Sequence, residues 1–433
     1  MRRSPTITSL AAASTAASLG TIAYVWVGYP LLVSGLARRR PPETELPSDP
    51  DWTLPTVTVV VAALDEEQVI GAKVTELLGS DYPAELLDIV VVTDGSTDLT
   101  AQRAFFAGGS RCRVLESDER CGKSAAVNRG VSIATGEIVV FSDANNHYEP
   151  DTIARLVSGF ADRQIGATVG AKRVAGGVDE VAVGDGVYWR YESAIKAAES
   201  RAGSCTAASG EIMALRRSAI VELPPGVVND DFFLMLGVLR SGLRVRYVPE
   251  ARSFEPSSAS AADERARRTR MAAGRFETMA RGWALLPDDR QLRWQIVSHK
   301  YLRLTLPWSF LGGLTGAAVW VLAGGRRSAR VTLGAQAAFH VVSVWASRTT
   351  HQGRLGKVLT IPAFLLDANV ATARGFVAWR RGAYRSGWDR VRRAEESTPD
   401  DVSPDLAAPP AEDHRPKEPV LTVVGGTDSE AAA

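Results

Sequence analysis

Three short apolar runs, each closing on a carboxylate, limit what this chain can fold into more than any other feature. Residues 56–63 form a β-branched run without charge, 89–93 a second and 138–142 a third, and Asp65, Asp94 and Asp143 stand at or just past their carboxyl ends. Uninterrupted runs of this length suit strands buried on both faces, the habit of parallel sheets. The stretches between them, 66–80 with Gly79 near its end and 99–106, carry helical spacing. Strands alternating with helices predict an α/β fold with a mostly parallel sheet and flanking helices, whose ligands bind beyond the carboxyl ends of the strands. The three acids are therefore expected on one sheet edge.

The chain holds more than this domain, since 433 residues leave room for one large soluble domain and further segments. Residues 8–37 carry no charged side chain and run into Arg38-Arg39-Arg40. Such a run can cross a bilayer core of about 30 Å, with the arginines holding its end in the cytoplasm. Arg2, Arg3 and the small residues at 11–17 suit a cleaved signal peptide instead. Because the apolar run continues past any cleavage site and ends in a basic stop, residues 1–40 are read as a membrane anchor. Residues 41–55, rich in Pro and acid, are expected to be a linker. A second apolar run, 304–324, is expected to span the membrane with a kink at Pro307 and Gly312-Gly313. Residues 331–346 and 359–379, the latter with Asp367 and Arg374, read as weak spans or interfacial helices within a 301–390 membrane region. A disordered acidic tail is expected over 391–433.

Composition narrows the function. With 50 Lys and Arg against 49 Asp and Glu, the chain is not built to neutralise nucleic acid. Cys112, Cys121 and Cys205 match neither a zinc site nor a disulfide framework.

Five local patterns carry chemistry. Thr93-Asp94-Gly95-Ser96-Thr97-Asp98 sets a carboxylate at a strand end and a glycine where the backbone turns, so Asp94 either grips a nucleoside or belongs to a plain turn. Asp143-Ala144-Asn145 offers a carboxylate for a hard divalent cation that bridges nucleotide phosphates, with Asn145 a weaker neutral ligand. Asp151, not Asp143, is positioned to cap the helix that follows. Cys121-Gly122-Lys123-Ser124 is not a P-loop, because that motif needs glycine at 117, where Ser117 stands. Lys123 can still neutralise phosphate. Asn229-Asp230-Asp231-Phe232 opens an apolar helical run with two adjacent acids. One can cap the helix; neighbouring acids also raise each other's proton affinity, which suits one to general-base work. Arg267, Arg268 and Arg270, within an Arg-rich helical stretch over 261–284, can grip a diphosphate or lie on anionic lipid headgroups.

Together these elements resemble the membrane-associated family-2 glycosyltransferases with a GT-A fold, similar to bacterial synthases of the cellulose and poly-N-acetylglucosamine type. The resemblance covers about residues 62–307. Ala62-Ala63-Leu64-Asp65-Glu66-Glu67 resembles the family's A-x-N-E-E element, with Asp65 in place of Asn. Asp94 matches its D-G-S-x-D, residues 122–128 its G-K-x-x-A-x-N, and Asp143-Ala144-Asn145 its D-x-D with Asn at the third position. Asn229-Asp230-Asp231 resembles the element whose last Asp serves as base. Ser209-Gly210-Glu211 resembles the acceptor-side glycine segment, and Ser298-His299-Lys300-Tyr301-Leu302-Arg303 a motif found where such synthases enter the membrane. The Q-x-x-R-W signature is absent; Arg267-Arg268-Thr269-Arg270 stands at its place, without the aromatic residue that stacks on a growing glycan.

The resemblance implies an inverting transfer of a sugar from a nucleotide-diphosphate sugar, expected to be a UDP-sugar, to a glycan or lipid-linked acceptor. Asp231, with Asp230, would be catalytic. Glu66, Asp94, Lys123, Asp143, Arg267, Arg268 and Arg270 would bind the nucleotide sugar, Ser209 and Gly210 the acceptor, and Asp143 with Asn145 a Mg²⁺ or Mn²⁺ ion. A multi-pass membrane protein with its catalytic domain in the cytoplasm, working with an export or synthase partner, completes the expectation. Two alternatives remain: a non-processive enzyme adding one sugar to a polyprenyl phosphate or lipid, and a non-catalytic subunit that binds nucleotide sugar.

Overall fold

The structure, a computed structural model, describes residues 5–40, 51–175, 180–256, 260–349 and 353–384, which belong to one compact unit, Met1–Glu396. Most of the expected linker and all of the expected acidic tail lie outside the described residues. The chain opens with α1 (Pro5–Ala37). There follow β1 (Val57–Ala63), α2 (Ile70–Leu78), β2 (Leu87–Thr93), α3 (Thr100–Gly108), β3 (Cys112–Leu115), α4 (Lys123–Ile133) and β4 (Ile138–Asp143). Next come β5 (His147–Tyr148), α5 (Thr152–Ser158), β6 (Ile165–Ala175), α6 (Glu180–Ala202), β7 (Met213–Arg216), α7 (Asp230–Arg240), β8 (Arg244–Pro256) and α8 (Ala261–Ala280). The last elements are α9 (Arg290–Leu304), α10 (Leu306–Leu322), α11 (Arg327–Ala346) and α12 (Gly353–Arg380).

One eight-stranded sheet runs in the order β3-β2-β1-β4-β7-β6-β8-β5. The half read from the sequence is parallel throughout, β3 to β2, β2 to β1 and β1 to β4. The other half is mixed: β7 runs antiparallel to both β4 and β6, while β6 and β8 are parallel. Every residue of β1 is buried, as an unalternating run requires. Val59, Val61 and Ala63 enter one apolar core with Ile89 and Val91, whereas Val60 and Ala62 enter the other with Val90 and Val92. Truncating any of these valines to Ala removes buried methyl groups from a two-sided core and costs about 1–3 kcal/mol.

Helix α1 is tied to the rest of the unit along its length. Thr8 Oγ1 donates to the Ala323 carbonyl at 3.0 Å, Trp294 Nε1 to Tyr24 Oη at 2.9 Å, and Tyr191 Oη to the Trp26 carbonyl at 2.9 Å. Tyr29 and Val33 are fully enclosed against α6, where Tyr29 donates to Glu199. Among the described residues α1 alone is long and apolar enough to cross a membrane, and α9 with α10 makes a second such span only if the bent pair counts as one.

Two local expectations are corrected. The bend of 61° lies at the junction of α9 and α10, and Pro307 opens α10 rather than kinking it; a first-turn proline lacks an N–H that would be unpaired anyway. Gly312-Gly313 does not break the helix either. A Cβ on Gly313 would stand 2.7 Å from Gln336 Oε1, and one on Gly316 2.7 Å from Thr15 Oγ1, so this small face admits α11 and α1. Asp151 precedes α5 without a capping hydrogen bond and instead pairs with Arg155 at 2.6 Å.

Candidate active site

Strand register sets the first wall. Ala62 of β1 lies opposite Asp143 of β4, and Ala63 opposite Thr93 of β2, so Asp65, Asp94 and Asp143 follow three adjacent parallel strands on one edge. Asp65 adopts a left-handed backbone with φ of 51° and accepts the Thr97 amide at 2.8 Å. Asn would serve equally, since both residue types tolerate that region and offer the same acceptor. The Glu66 amide donates to Thr100 Oγ1 at 2.8 Å and the Glu67 amide to Asp98 Oδ2 at 3.1 Å, which laces the loop after β1 to the loop after β2.

Asp94 is 2% exposed, and its two oxygens accept the Cys121 and Gly122 amides at 2.7 and 2.8 Å. The carboxylate thus fixes the turn into α4, where Gly122 takes a φ of 91° open to glycine at little cost. That turn delivers Lys123. Its ammonium lies 2.9 Å from Asp143 Oδ1 and 3.7 Å from Asp230 Oδ2. Burial opposes the charge, but Asp143 and then Asp230 outweigh it and hold Lys123 above the ordinary lysine range.

The remaining residues of the same helix position the acid pair. Ser124 Oγ donates to the Val227 carbonyl at 3.0 Å, and Asn128 both donates to the Leu223 carbonyl at 2.8 Å and accepts the Leu223 amide at 3.0 Å. From the other side Asn229 Nδ2 donates to the Met271 carbonyl of α8 at 3.0 Å. A Cβ on Gly274 would stand 2.8 Å from Val228 and 2.9 Å from Asn229, so only glycine lets α8 approach this closely. Asn229, not either Asp, precedes α7. Asp230 faces Lys123, while Asp231 accepts the Phe232 amide at 2.7 Å. Burial, and after it the charge of Asp230, push the Asp231 carboxyl up to about 6.

Asp231 looks into a second space, a cavity of about 220 Å³ walled by α6, α8, α9 and α12. Ser209 and Gly210 line it, and a Cβ on Gly210 would stand 3.2 Å from Asp231 Cβ. Arg267 and Arg268 line it as well, both paired with Glu264 at 2.9 and 2.7 Å; although burial opposes the charge of Glu264, these arginines hold it down to about 2. Arg270, although on the same helix, is outside that lining, and Glu66, Asp94, Lys123, Asp143 and Asn145, which lie on other segments, are outside it too. The residues expected at the site thus fall into a strand-end group and a cavity group that meet at the adjacent acids Asp230 and Asp231.

Several lining residues escaped the sequence reading. Lys196 of α6 lies 3.2 Å from Ser209 Oγ, and Lys172, Arg275, Lys300 and Arg303 complete a cationic wall. A signal existed in α6, where Glu192, Lys196 and Glu199 recur at helical spacing.

A divalent cation fits the first wall by donor chemistry. Asp143 and Asp230 already turn hard oxygen donors toward one cationic centre, the Lys123 ammonium. Among the described residues no three His, Cys, Asp or Glu side chains form a complete protein cage, so a metal here relies on substrate oxygens.

The sheet and the acid-lined edge define a GT-A fold. The sequence over residues 55–274 matches the glycosyltransferase-like family 2, and the chain belongs to it. An N-acetylglucosaminyltransferase of Rhizobium meliloti (strain 1021) is 29% identical over 215 residues, 46% of this chain and 50% of that protein. A poly-beta-1,6-N-acetyl-D-glucosamine synthase of Staphylococcus aureus (strain COL) is 23% identical over 206 residues, 45% of this chain and 48% of that protein. The chain therefore spans about half the length of these curated relatives. A mannosyltransferase of Pyrobaculum calidifontis, solved in complex with GDP-Man and Mn²⁺, superposes with a TM-score of 0.63 at 25% identity, over 85% of this chain and 99% of that one.

Proposed function

We propose that this protein is an inverting glycosyltransferase that moves a sugar from a nucleotide-diphosphate sugar, taken as a UDP-sugar, to a glycan or lipid-linked acceptor in cell-envelope or exopolysaccharide synthesis. The observation that carries the reading is the division of labour between adjacent acids: Asp230 faces Lys123 and the strand ends, and Asp231 faces the cavity. A donor diphosphate beside Lys123 and an acceptor hydroxyl beside Asp231 would approach from opposite sides.

In the proposed step the acceptor oxygen attacks the anomeric carbon, its proton passes to Asp231, and the bond from that carbon to the diphosphate oxygen breaks. The carboxyl held at about 6 is mostly ionised at neutral pH and still basic enough to take the proton. Lys123 supplies fixed positive charge where the leaving diphosphate gains negative charge. Asp94 acts first through the turn that aims Lys123, and with Glu66 it is assigned to the nucleoside. Asp143, with Asn145 beside it, would hold Mg²⁺ or Mn²⁺, which when bound supplies further charge neutralisation at the diphosphate. Ser209 and Gly210 are assigned to the acceptor. Arg267 and Arg268 are assigned to phosphate charge, with Arg270 in support.

We assign residues 56–300 to the transferase unit and residues 1–40 to a retained anchor. The burial of Tyr29 and Val33 against α6 supports retention, because cleavage beyond them would open that cluster. The cytoplasmic placement rests on Arg38-Arg39-Arg40 at the end of the anchor.

Purified protein with Mn²⁺ or Mg²⁺ and a panel of radiolabelled UDP- and GDP-sugars tests the reading, with product size measured. Label transferred from one nucleotide sugar supports it, and short lipid-soluble products select the single-addition enzyme. Neither transfer nor hydrolysis of any donor would leave only the non-catalytic subunit.

A further inference from the structure

Seven cationic and four anionic side chains line the cavity beside Asp231. Several of these cations are paired: Lys172 with Glu211 and with Glu255 outside the lining, Arg267 and Arg268 with Glu264, and Arg303 with Glu192. Lys300 is not. It is 8% exposed, and among the described residues no hydrogen bond or ion pair reaches its ammonium. Glu192, the nearest acid in charge terms, already gives one oxygen to Arg303 and the other to His299. Arg303 uses one terminal nitrogen on Glu192 and Tyr188, which leaves Nε and the other terminal nitrogen buried without a partner among the described residues. Arg275, on the same lining, likewise has no hydrogen-bonded acid among the described residues. Buried cationic groups whose donors are left without acceptors are costly, so such a cluster fits an anion that arrives with the ligand.

The anion's source follows from what else lines the space. Asp94, Lys123 and Asp143, the strand-end groups assigned to the donor, stay outside it; of the residues assigned to the donor only Arg267 and Arg268 reach it, and both are already paired with Glu264. The same space is lined by Trp26 of α1, Leu306 of α10, and Phe364, Ala368 and Ala371 of α12, with the Arg303 guanidinium over the Trp26 ring and that of Arg268 over the Phe364 ring. Resting on the glycosyltransferase reading, we infer that Lys300, with Arg275 and Arg303, grips the phosphate of an acceptor carried on an apolar chain, while Trp26, Leu306 and Phe364 take the start of that chain. The phosphate anchors the acceptor and its hydroxyl is offered to Asp231. The chemistry asked of the cluster is charge-assisted hydrogen bonding to a phosphate ester, which guanidinium and ammonium groups both supply.

Binding to the purified full chain in detergent tests this, with farnesyl phosphate, farnesol, inorganic phosphate and UDP with Mn²⁺ as separate probes in a calorimeter. Farnesyl phosphate is expected to bind at least tenfold more tightly than farnesol or inorganic phosphate. Lys300→Met should weaken it about tenfold, Lys300→Arg should restore most of the loss, and UDP affinity should stay within twofold throughout. Arg275→Gln, at a half-buried position, provides a second variant with a several-fold loss if Lys300→Met fails to fold. Unchanged farnesyl phosphate affinity in the variants overturns the inference. So does a loss that falls on UDP, which would give the cluster to the donor, or inorganic phosphate binding as tightly as its farnesyl ester. Farnesyl phosphate bound by a protein that turns over no sugar nucleotide would sink the transferase reading and keep this one; turnover without such binding would do the reverse.

Discussion

The two sides of the acid pair are built in opposite ways. On the strand side, Asp65, Asp94 and Asp143 each end or closely follow their own strand, and loops are fixed by backbone amides, as where Asp94 holds the Cys121 and Gly122 amides. On the cavity side, Lys172 of β6, Lys196 of α6, Arg275 of α8 and the pair Lys300 and Arg303 of α9 come from four elements distant in the chain and meet through packing. The strand side is acidic around one lysine, the cavity side cationic around a few acids. A nucleotide diphosphate with a metal suits the first, and an acceptor bearing its own negative charge suits the second.

Breaking the junction between the two should have the largest effect. Asp231→Asn is expected to lower the rate of transfer about a thousandfold, within the range for loss of a general base, while nucleotide affinity by calorimetry changes less than twofold. Lys123→Met attacks the strand side alone. With Asp143 and Asp230 left facing each other without their cation, kcat/KM for the donor should fall about a hundredfold. Gly274→Val sharpens the comparison from the cavity side, because its side chain must displace Val228 and Asn229 and with them the acid pair. A tenfold loss in kcat with donor affinity preserved is the expected result.

The smallest effect concerns stability and has the opposite sign. A carboxyl whose pKa is raised on folding binds its proton more tightly in the native state, so ionising Asp231 above about pH 6 destabilises the fold. Asp231→Asn should therefore raise Tm at pH 7.5 by a few degrees, read by differential scanning calorimetry, even as it removes activity.

This contrast also explains what the sequence made legible. Asp65, Asp94 and Asp143 could be set on one edge because each apolar run announces its strand and each acid ends it. Lys123 could be assigned to phosphate, but not its contact with Asp230, which depends on Ser124 and Asn128 holding a segment some hundred residues downstream. The antiparallel β7 carried too short a run to be noticed. Glu192, Lys196 and Glu199 are charged residues at helical spacing, ordinarily a solvated face, and only the fold turns that face inward. Pro307 misled for a related reason: a proline inside an apolar run signals a kink, yet the same residue is favoured in a first helical turn, and only the break at Thr305 decides between them.

The central claim is that Asp231 takes the acceptor's proton and that Asp230 tunes it. The pH dependence of kcat/KM for transfer tests this most directly, comparing the protein with its Asp230→Asn variant. The base must be ionised, so activity should fall as pH drops through about 6, and removing the neighbouring charge should move that limb to lower pH, since the Asp230 carboxylate is the second contribution raising Asp231. A profile flat from pH 5 to 8, or a limb that Asp230→Asn leaves in place, would contradict it.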